Sequence, residues 1–446
     1  MKEINRRQFV KNSVAATAVA ATAVAATSGG ILLPQLSARA SAYVAGSNTL
    51  KVAVIGCGGR GTGAADQALS VKQDVKLVAM ADAFKDRLDE GYENLKKKHG
   101  TSGRLAVPEE NKFVGFDGYK QAIALADVVL LCTPPGFRPI HFEEAVNAGK
   151  HVFMEKPVAT DAPGVRKVLE MAEKAKAKNL NVVVGLQRHY QPSYLELIKR
   201  LHNGEIGEIT GGQVYWNSSG VWERPRTPDQ TEMEYQMRNW YYFTWLCGDH
   251  IMEQHIHNID VANWAKQAYP VKAQGMGGRE VRTGPDHGQI FDHHYVEFHY
   301  EDGTMINSQC RHMEGCMNKV SESFVGTQGR ATTDNNTEIT DLKGNSLWRH
   351  RGKNDPNPYQ VEHDRLFAAI ASGDEVINDA ENGAKSTMTS LMGRMATYSG
   401  KVIGWDEALN STISLMPKKF SFEADPPVMP VEGRYPVPVP GKTKVI

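Results

Sequence analysis

The stretch that most constrains this chain is Val52-Ala-Val-Ile-Gly-Cys-Gly-Gly-Arg-Gly61. Its first four residues read as a buried parallel strand, and Gly56-x-Gly58-x-x-Gly61 follows at once. Thr62–Ser70, rich in small residues, then suits a helix. In a dinucleotide-binding turn each glycine has its own reason. The first makes the tight turn, the second admits a pyrophosphate, and the third lets helix pack on strand. The phosphates sit at the helix N-terminus, where unpaired N–H groups and the dipole favour negative charge. An acidic residue is also needed at the end of the next strand, roughly 20 residues on. Lys76–Ala81 reads as that strand and Asp82 follows it. Gly56, Cys57, Gly58, Gly59, Arg60, Gly61 and Asp82 are therefore the expected nucleotide contacts.

Downstream, short apolar runs alternate with helical stretches to about Gly185, the pattern of a parallel sheet with crossover helices. The strands read are Lys51–Ile55, Lys76–Ala81, Lys112–Val114, Val128–Cys132, His151–Phe153 and Asn181–Val184. Thr133 and Pro134 fall at the carboxyl end of one of them, where open α/β sheets bind ligands. From about Gln187 the period changes. Glu208–Trp216, Ile290–Tyr300, Thr304–His312, Val320–Gly326 and Arg330–Asp334 read as strands, with a hairpin turn at Glu301-Asp302-Gly303. The expected fold is α/β: an N-terminal Rossmann domain over 48–186, then an α+β domain over 187–410 with a large, mostly antiparallel open sheet. Residues 411–446 read as a proline-rich tail, either an arm across a neighbour or disordered chain.

The 446 residues carry 51 Lys+Arg and 51 Asp+Glu, a formal net charge of zero, which argues against nucleic acid as main partner. Five cysteines without a C-x-x-C pair give no disulfide framework or zinc motif. Residues 1–42 have the layout of an export signal, and Asn5-Arg6-Arg7-Gln8-Phe9-Val10-Lys11 before an Ala/Thr-rich apolar run looks like the twin-arginine type. Val14–Ala26 falls well short of the roughly 20 residues that span a bilayer, so stable membrane insertion is not expected. The signal implies a periplasmic protein exported folded, with its cofactor aboard.

The fingerprint, Asp82, Thr133-Pro134, Ala148-Gly149-Lys150-His151-Val152 and Glu155-Lys156-Pro157 together resemble the Gfo/Idh/MocA oxidoreductase family. The likeness runs from about Leu50 to Asp406. It implies bound NAD, with Asp82 on the adenosine ribose, while Arg60 would tolerate the extra phosphate of NADP. It implies that Lys156 lies beside the nicotinamide and stabilises the alkoxide that develops as hydride leaves carbon. Glu155 would contact cofactor or orient Lys156. The resemblance also implies an oligomer, dimer or tetramer, built on one face of the second sheet.

Cys247–Trp264 carries the densest chemistry. Read as one helix, it places His250, Glu253, His257 and Asp260 within about 80° of one another. Three readings of that face stand. His257 can act as general base; His250, Glu253 and His257 can ligate a metal; or the face is simply solvated. The working expectation is no metal. The family pattern, an Asp four residues before a catalytic His, matches Glu253 and His257, with Glu replacing Asp and His255 replacing a small residue. Arg188, His189, Tyr190, Trp240 and Tyr241 offer donors and stacking faces to a sugar, or else belong to a core.

These readings together predict an enzyme: an NAD(P)-dependent oxidoreductase moving hydride between a sugar or polyol hydroxyl carbon and a tightly retained nicotinamide. The alternative within the same likeness is a glycosidase or lyase working by oxidation, elimination and re-reduction. A non-catalytic binding protein is the reading from another class.

Overall fold

The computed structural model describes residues 49–446, so the expected export segment lies outside the described residues. Two sheets organise these residues. The first has six parallel strands: β1 (Leu50–Ile55), β2 (Val75–Asp82), β3 (Lys112–Val114), β4 (Val128–Leu131), β5 (His151–Met154) and β6 (Val182–Val184). Their order is β3-β2-β1-β4-β5-β6, the doubly wound arrangement whose reversal between β1 and β4 opens a ligand crevice. Val52, Val54, Val128, Leu130 and Phe153 are fully buried because helices cover both faces. Each such side chain contributes about 1.5–3 kcal/mol relative to exposure.

The second sheet has nine strands: β7 (Ile209–Ser218), β8 (Lys272–Gly278), β9 (His293–His299), β10 (Met305–His312), β11 (Lys319–Gly326), β12 (Gly329–Thr332), β13 (Glu338–Asp341), β14 (Ser346–Arg349) and β15 (Ile403–Gly404). They are ordered β14-β13-β12-β11-β7-β10-β9-β8-β15. All neighbours pair antiparallel except β7 and β10, which run parallel. Alternation decides the faces. Val214, Val296, Phe298, Ile306, Cys310 and Phe324 point inward onto helices, whereas Met276, Met305 and Val325 stand exposed on the other face.

The helix Ala380–Ser399 joins the two halves. It packs on β8, β9 and the Rossmann helix Ala162–Ala177. Its buried hydroxyls are satisfied at close range: Thr389 donates to the Lys385 carbonyl and Ser390 to the Ser386 carbonyl. Thr387 accepts from the Val158 N–H, which fixes the loop after β5. Lys156 sits on that loop, beside a cis Lys156–Pro157 peptide.

Two expectations change here. Cys247–Trp264 is not one helix: His250–Glu253 forms one turn, the chain bends at Gln254-His255, and Ile256–Lys266 begins anew. The 411–446 stretch, expected as an arm over a neighbour or as disordered chain, packs on its own chain. Phe420 and Phe422 stack against Phe84, Phe116 and Phe137, the Leu415 N–H donates to Asp161, and Gly441 N–H donates to the Ser399 carbonyl.

Candidate active site

The glycine turn is built by steric necessity. Gly56 has φ +91°, and a Cβ there would lie 2.7 Å from the Cys132 carbonyl carbon and the Thr133 nitrogen. A Cβ on Gly61 would collide with the Gly56 carbonyl oxygen at 1.7 Å, so helix and strand pack only without one. Gly58 and Gly59 face open space instead. The helix Gly59–Leu69 starts there with no side-chain cap, which leaves its first N–H groups free for an anion. Asp82, ending β2, accepts from the Cys57 N–H at 2.7 Å and the Phe84 N–H at 2.9 Å. Burial raises its pKa against the pull of those two donors.

A groove of about 420 Å³ follows this turn, lined by Gly56, Gly58–Gly61, Asp82, Thr133 and Pro134. The residues present fit a dinucleotide: open glycines, uncapped N–H groups and a carboxylate at the ribose end. Sequence reading missed the opposite wall. Phe84, Arg87 and Phe116 come from the Rossmann domain, and Trp222, Arg224, Met237 and Arg238 from the second. Phe84 and Arg87 lie just past Asp82 and were findable by proximity. Trp222 and Arg224 sit in a loop with no periodic signal.

Arg60 lines the groove, but its charged end is engaged elsewhere. Its guanidinium turns back to Glu155, Glu362 and Gln67, so it offers no grip for a 2′-phosphate. Burial opposes its charge, but Glu155 and Glu362 hold its pKa above the ordinary value. Glu155 is accordingly an ion-pair partner of Arg60 rather than a ligand of Lys156.

The second cluster spans the domains. Lys156 Nζ donates to the Glu253 carbonyl at 2.6 Å and to Glu253 Oε1 at 3.0 Å. Burial raises the Glu253 pKa, opposed chiefly by the charge of Lys156. Glu253 Oε2 and the Tyr241 hydroxyl are buried without partners. His257 is 5 % exposed, its ring stacked near Trp216 and its Nδ1 unpartnered. Its pKa falls well below the ordinary value, first through burial and then through the charges of Lys156 and Arg188. An imidazole so placed is neutral at physiological pH.

The helix break separates what the single-helix reading grouped. Glu253 turns to Lys156 and His257 to Trp216. His250 turns to His294 and His312, and Asp260 accepts from Ser386, Asn382 and His189 in the interior. A His250–Glu253–His257 metal triad does not assemble among the described residues.

Three expected substrate contacts have other partners. Arg188 is buried and ion-paired to Glu322, which also accepts from Tyr194 and Asn258. Tyr190 donates to Asp379 at 2.7 Å within the Rossmann-side core. Trp240 lines the nucleotide groove, edge-on to Trp222.

A doubly wound sheet with this glycine turn, joined to an open antiparallel sheet, defines a two-domain dinucleotide-binding protein. Residues 50–185 match the Gfo/Idh/MocA description, "Oxidoreductase family, NAD-binding Rossmann fold". The match covers the six-stranded sheet and its helices, and the second domain lies beyond it. It is similar to inositol 2-dehydrogenase of Rhizobium meliloti, 28% identical over 223 residues, covering 50% of this chain and 57% of the relative. The chain thus spans a little over half the length of that relative. It is 26% identical over 353 residues to inositol 2-dehydrogenase of Cereibacter sphaeroides, covering 77% and 92%. In structure it resembles the aldose-aldose oxidoreductase of Caulobacter crescentus, with TM-score 0.62, 20% identity and coverage of 80% and 99%.

Proposed function

We propose that this protein is an NAD-dependent oxidoreductase acting on a CH–OH carbon of a cyclic polyol or aldose. The observation that carries this reading is Lys156, held by Glu253 and flanked by a neutral His257, on a chain with an intact dinucleotide groove. Bound nicotinamide supplies the hydride acceptor or donor. Lys156 has three donors and spends two on Glu253, leaving one for a substrate oxygen. That N–H stabilises the negative charge growing on oxygen, in a site largely closed to water. His257, neutral through burial, takes the hydroxyl proton. The substrate class comes from the relatives, which are inositol dehydrogenases and an aldose-aldose oxidoreductase. Those names favour net hydride transfer over the oxidation–elimination route to glycoside cleavage.

Two further features complete the proposal. Arg6-Arg7 supports twin-arginine export of the folded protein with NAD already bound. The exposed Met276, Met305 and Val325 support a homo-oligomer formed through that sheet face. No helix among the described residues is long and apolar enough to cross a membrane.

The test is direct. Purified protein is supplied with NAD and a panel of inositols and aldoses, and reduced nicotinamide is followed by absorbance. Formation with at least one member of the panel is expected. Absence across the panel, with nucleotide demonstrably bound, would remove the activity.

A further inference from the structure

Behind the Lys156 cluster lies a group of buried imidazoles that the proposed reaction does not use. His250, His294 and His312 are at most 3 % exposed. The His250 and His312 rings stack at 4.3 Å, and His294 meets His250 edge-on at 4.8 Å. Both nitrogens of His250, both of His312 and Nε2 of His294 are buried without a hydrogen-bond partner. Buried polar atoms are nearly always satisfied, so five bare ring nitrogens in one place need an occupant.

The tautomer of His294 says what kind. Its Nδ1 lies 2.9 Å from Thr397 Oγ1, and that hydroxyl donates its own proton to the Arg394 carbonyl. Nδ1 must therefore carry the hydrogen. His294 Nε2, on the far side of the ring, lies 3.3 Å from Asp249 Oδ2. Asp249 is held in that position: its carboxylate accepts from the His250 and Phe291 N–H groups and the Tyr398 hydroxyl. The Asp249–His294 spacing matches the edge of a tetrahedron with metal–ligand bonds of about 2.0–2.1 Å, whose vertices lie about 3.3 Å apart. His250 Nε2 is 3.9 Å from Asp249 Oδ1, and the ligand atoms of Asp249, His250 and His294 all fall within 4.8 Å of one another.

We infer that Asp249, His250 and His294 form a structural site for a divalent transition metal of the zinc class. The donor set is nitrogen-rich and oxygen-poor, which suits zinc and disfavours calcium or magnesium. Thr397 is the outer partner that fixes the His294 tautomer, as ligating histidines usually require. The site is closed by protein on all sides, as structural zinc sites are. Bound metal would pin the start of the short helix that ends in Glu253, and so hold the partner of Lys156.

The experiment uses the full chain and zinc itself. Protein purified from zinc-supplemented cells is counted for metal by mass spectrometry, stripped with chelator, and reloaded with zinc or cobalt. About one zinc per chain is expected, with a lower melting temperature after stripping and a tetrahedral cobalt spectrum after reloading. His250→Ala and His294→Ala should lose the metal, whereas His257→Ala should keep it. Thr397→Val, a mild change, should weaken zinc binding roughly 10–100-fold in chelator competition. Stripped wild-type protein that takes up no more zinc or cobalt than the His250→Ala/His294→Ala double variant would overturn the inference. So would a Thr397→Val protein with unchanged zinc affinity.

Discussion

Lys156 Nζ reaches across the domain boundary to the carbonyl of Glu253 at 2.6 Å and to its carboxylate at 3.0 Å. One residue of the second domain thus aims the ammonium group of the first. Lys156→Ala should lower kcat by roughly 10²–10³-fold, the usual cost of losing one oxyanion donor. Glu253→Gln keeps the carbonyl contact and loses only the charge, so its loss should be nearer tenfold, about 1.4 kcal/mol. Steady-state kinetics on variants with unchanged nucleotide content check both.

Activity should depend on pH through His257 in a one-sided way. A base works only when unprotonated, and burial with Lys156 nearby drives the His257 pKa well below its ordinary value. The rate should therefore be flat across neutral pH and fall only on the acid side, below the usual histidine range. A kcat/KM profile with an inflection near ordinary histidine, about pH 6.5, would contradict the geometry.

Stability should fall on acidification for a related reason. His141, His255 and His363 are buried and held neutral, each with its pKa pushed down to about 3. Between about pH 6.5 and 3 the unfolded chain binds a proton at each of these positions and the folded chain does not. Folded stability is thus present above that window and lost as pH falls through it. Each histidine contributes about 1.4 kcal/mol per pH unit within the window. Thermal melts from neutral pH to pH 5 should show a steadily falling midpoint.

Nucleotide choice should follow Asp82. Arg60 is committed to Glu155 and Glu362, so the acidic end of β2 meets the ribose unopposed by that guanidinium. Asp82→Ala is expected to weaken NAD about 10–100-fold by removing charged hydrogen bonds. NADP, which Asp82 repels, should lose far less or improve. Calorimetric titration with both nucleotides measures the difference.

What could be read from the sequence was what neighbours along the chain decide. Gly61 answers to the Gly56 carbonyl at the start of the same turn, and Asp82 follows from the length of one βαβ unit. The Cys247–Trp264 segment was misread as one helix because its break is tertiary. Asp249 adopts φ +81°, ψ 160°, and its carboxylate is anchored by Phe291 and Tyr398 from other elements. Such backbone strain costs on the order of 1–3 kcal/mol and needs partners that local sequence does not display. Arg188 and Tyr190 misled for the same reason, since Glu322 and Asp379 lie 134 and 189 residues away. The last segment read, by its prolines, as an arm over a neighbour or as disordered chain, yet Phe420 and Phe422 give it an aromatic surface to bury against the groove wall.

The most direct measurement follows the hydride itself. A polyol or aldose bearing deuterium at the oxidised carbon is mixed with the NAD-loaded protein, and the nicotinamide is recovered for mass spectrometry. The account predicts deuterium at nicotinamide C4 with the wild-type chain, strongly reduced with Lys156→Ala and with His257→Ala. Nicotinamide that stays unlabelled with every inositol and aldose offered would contradict it.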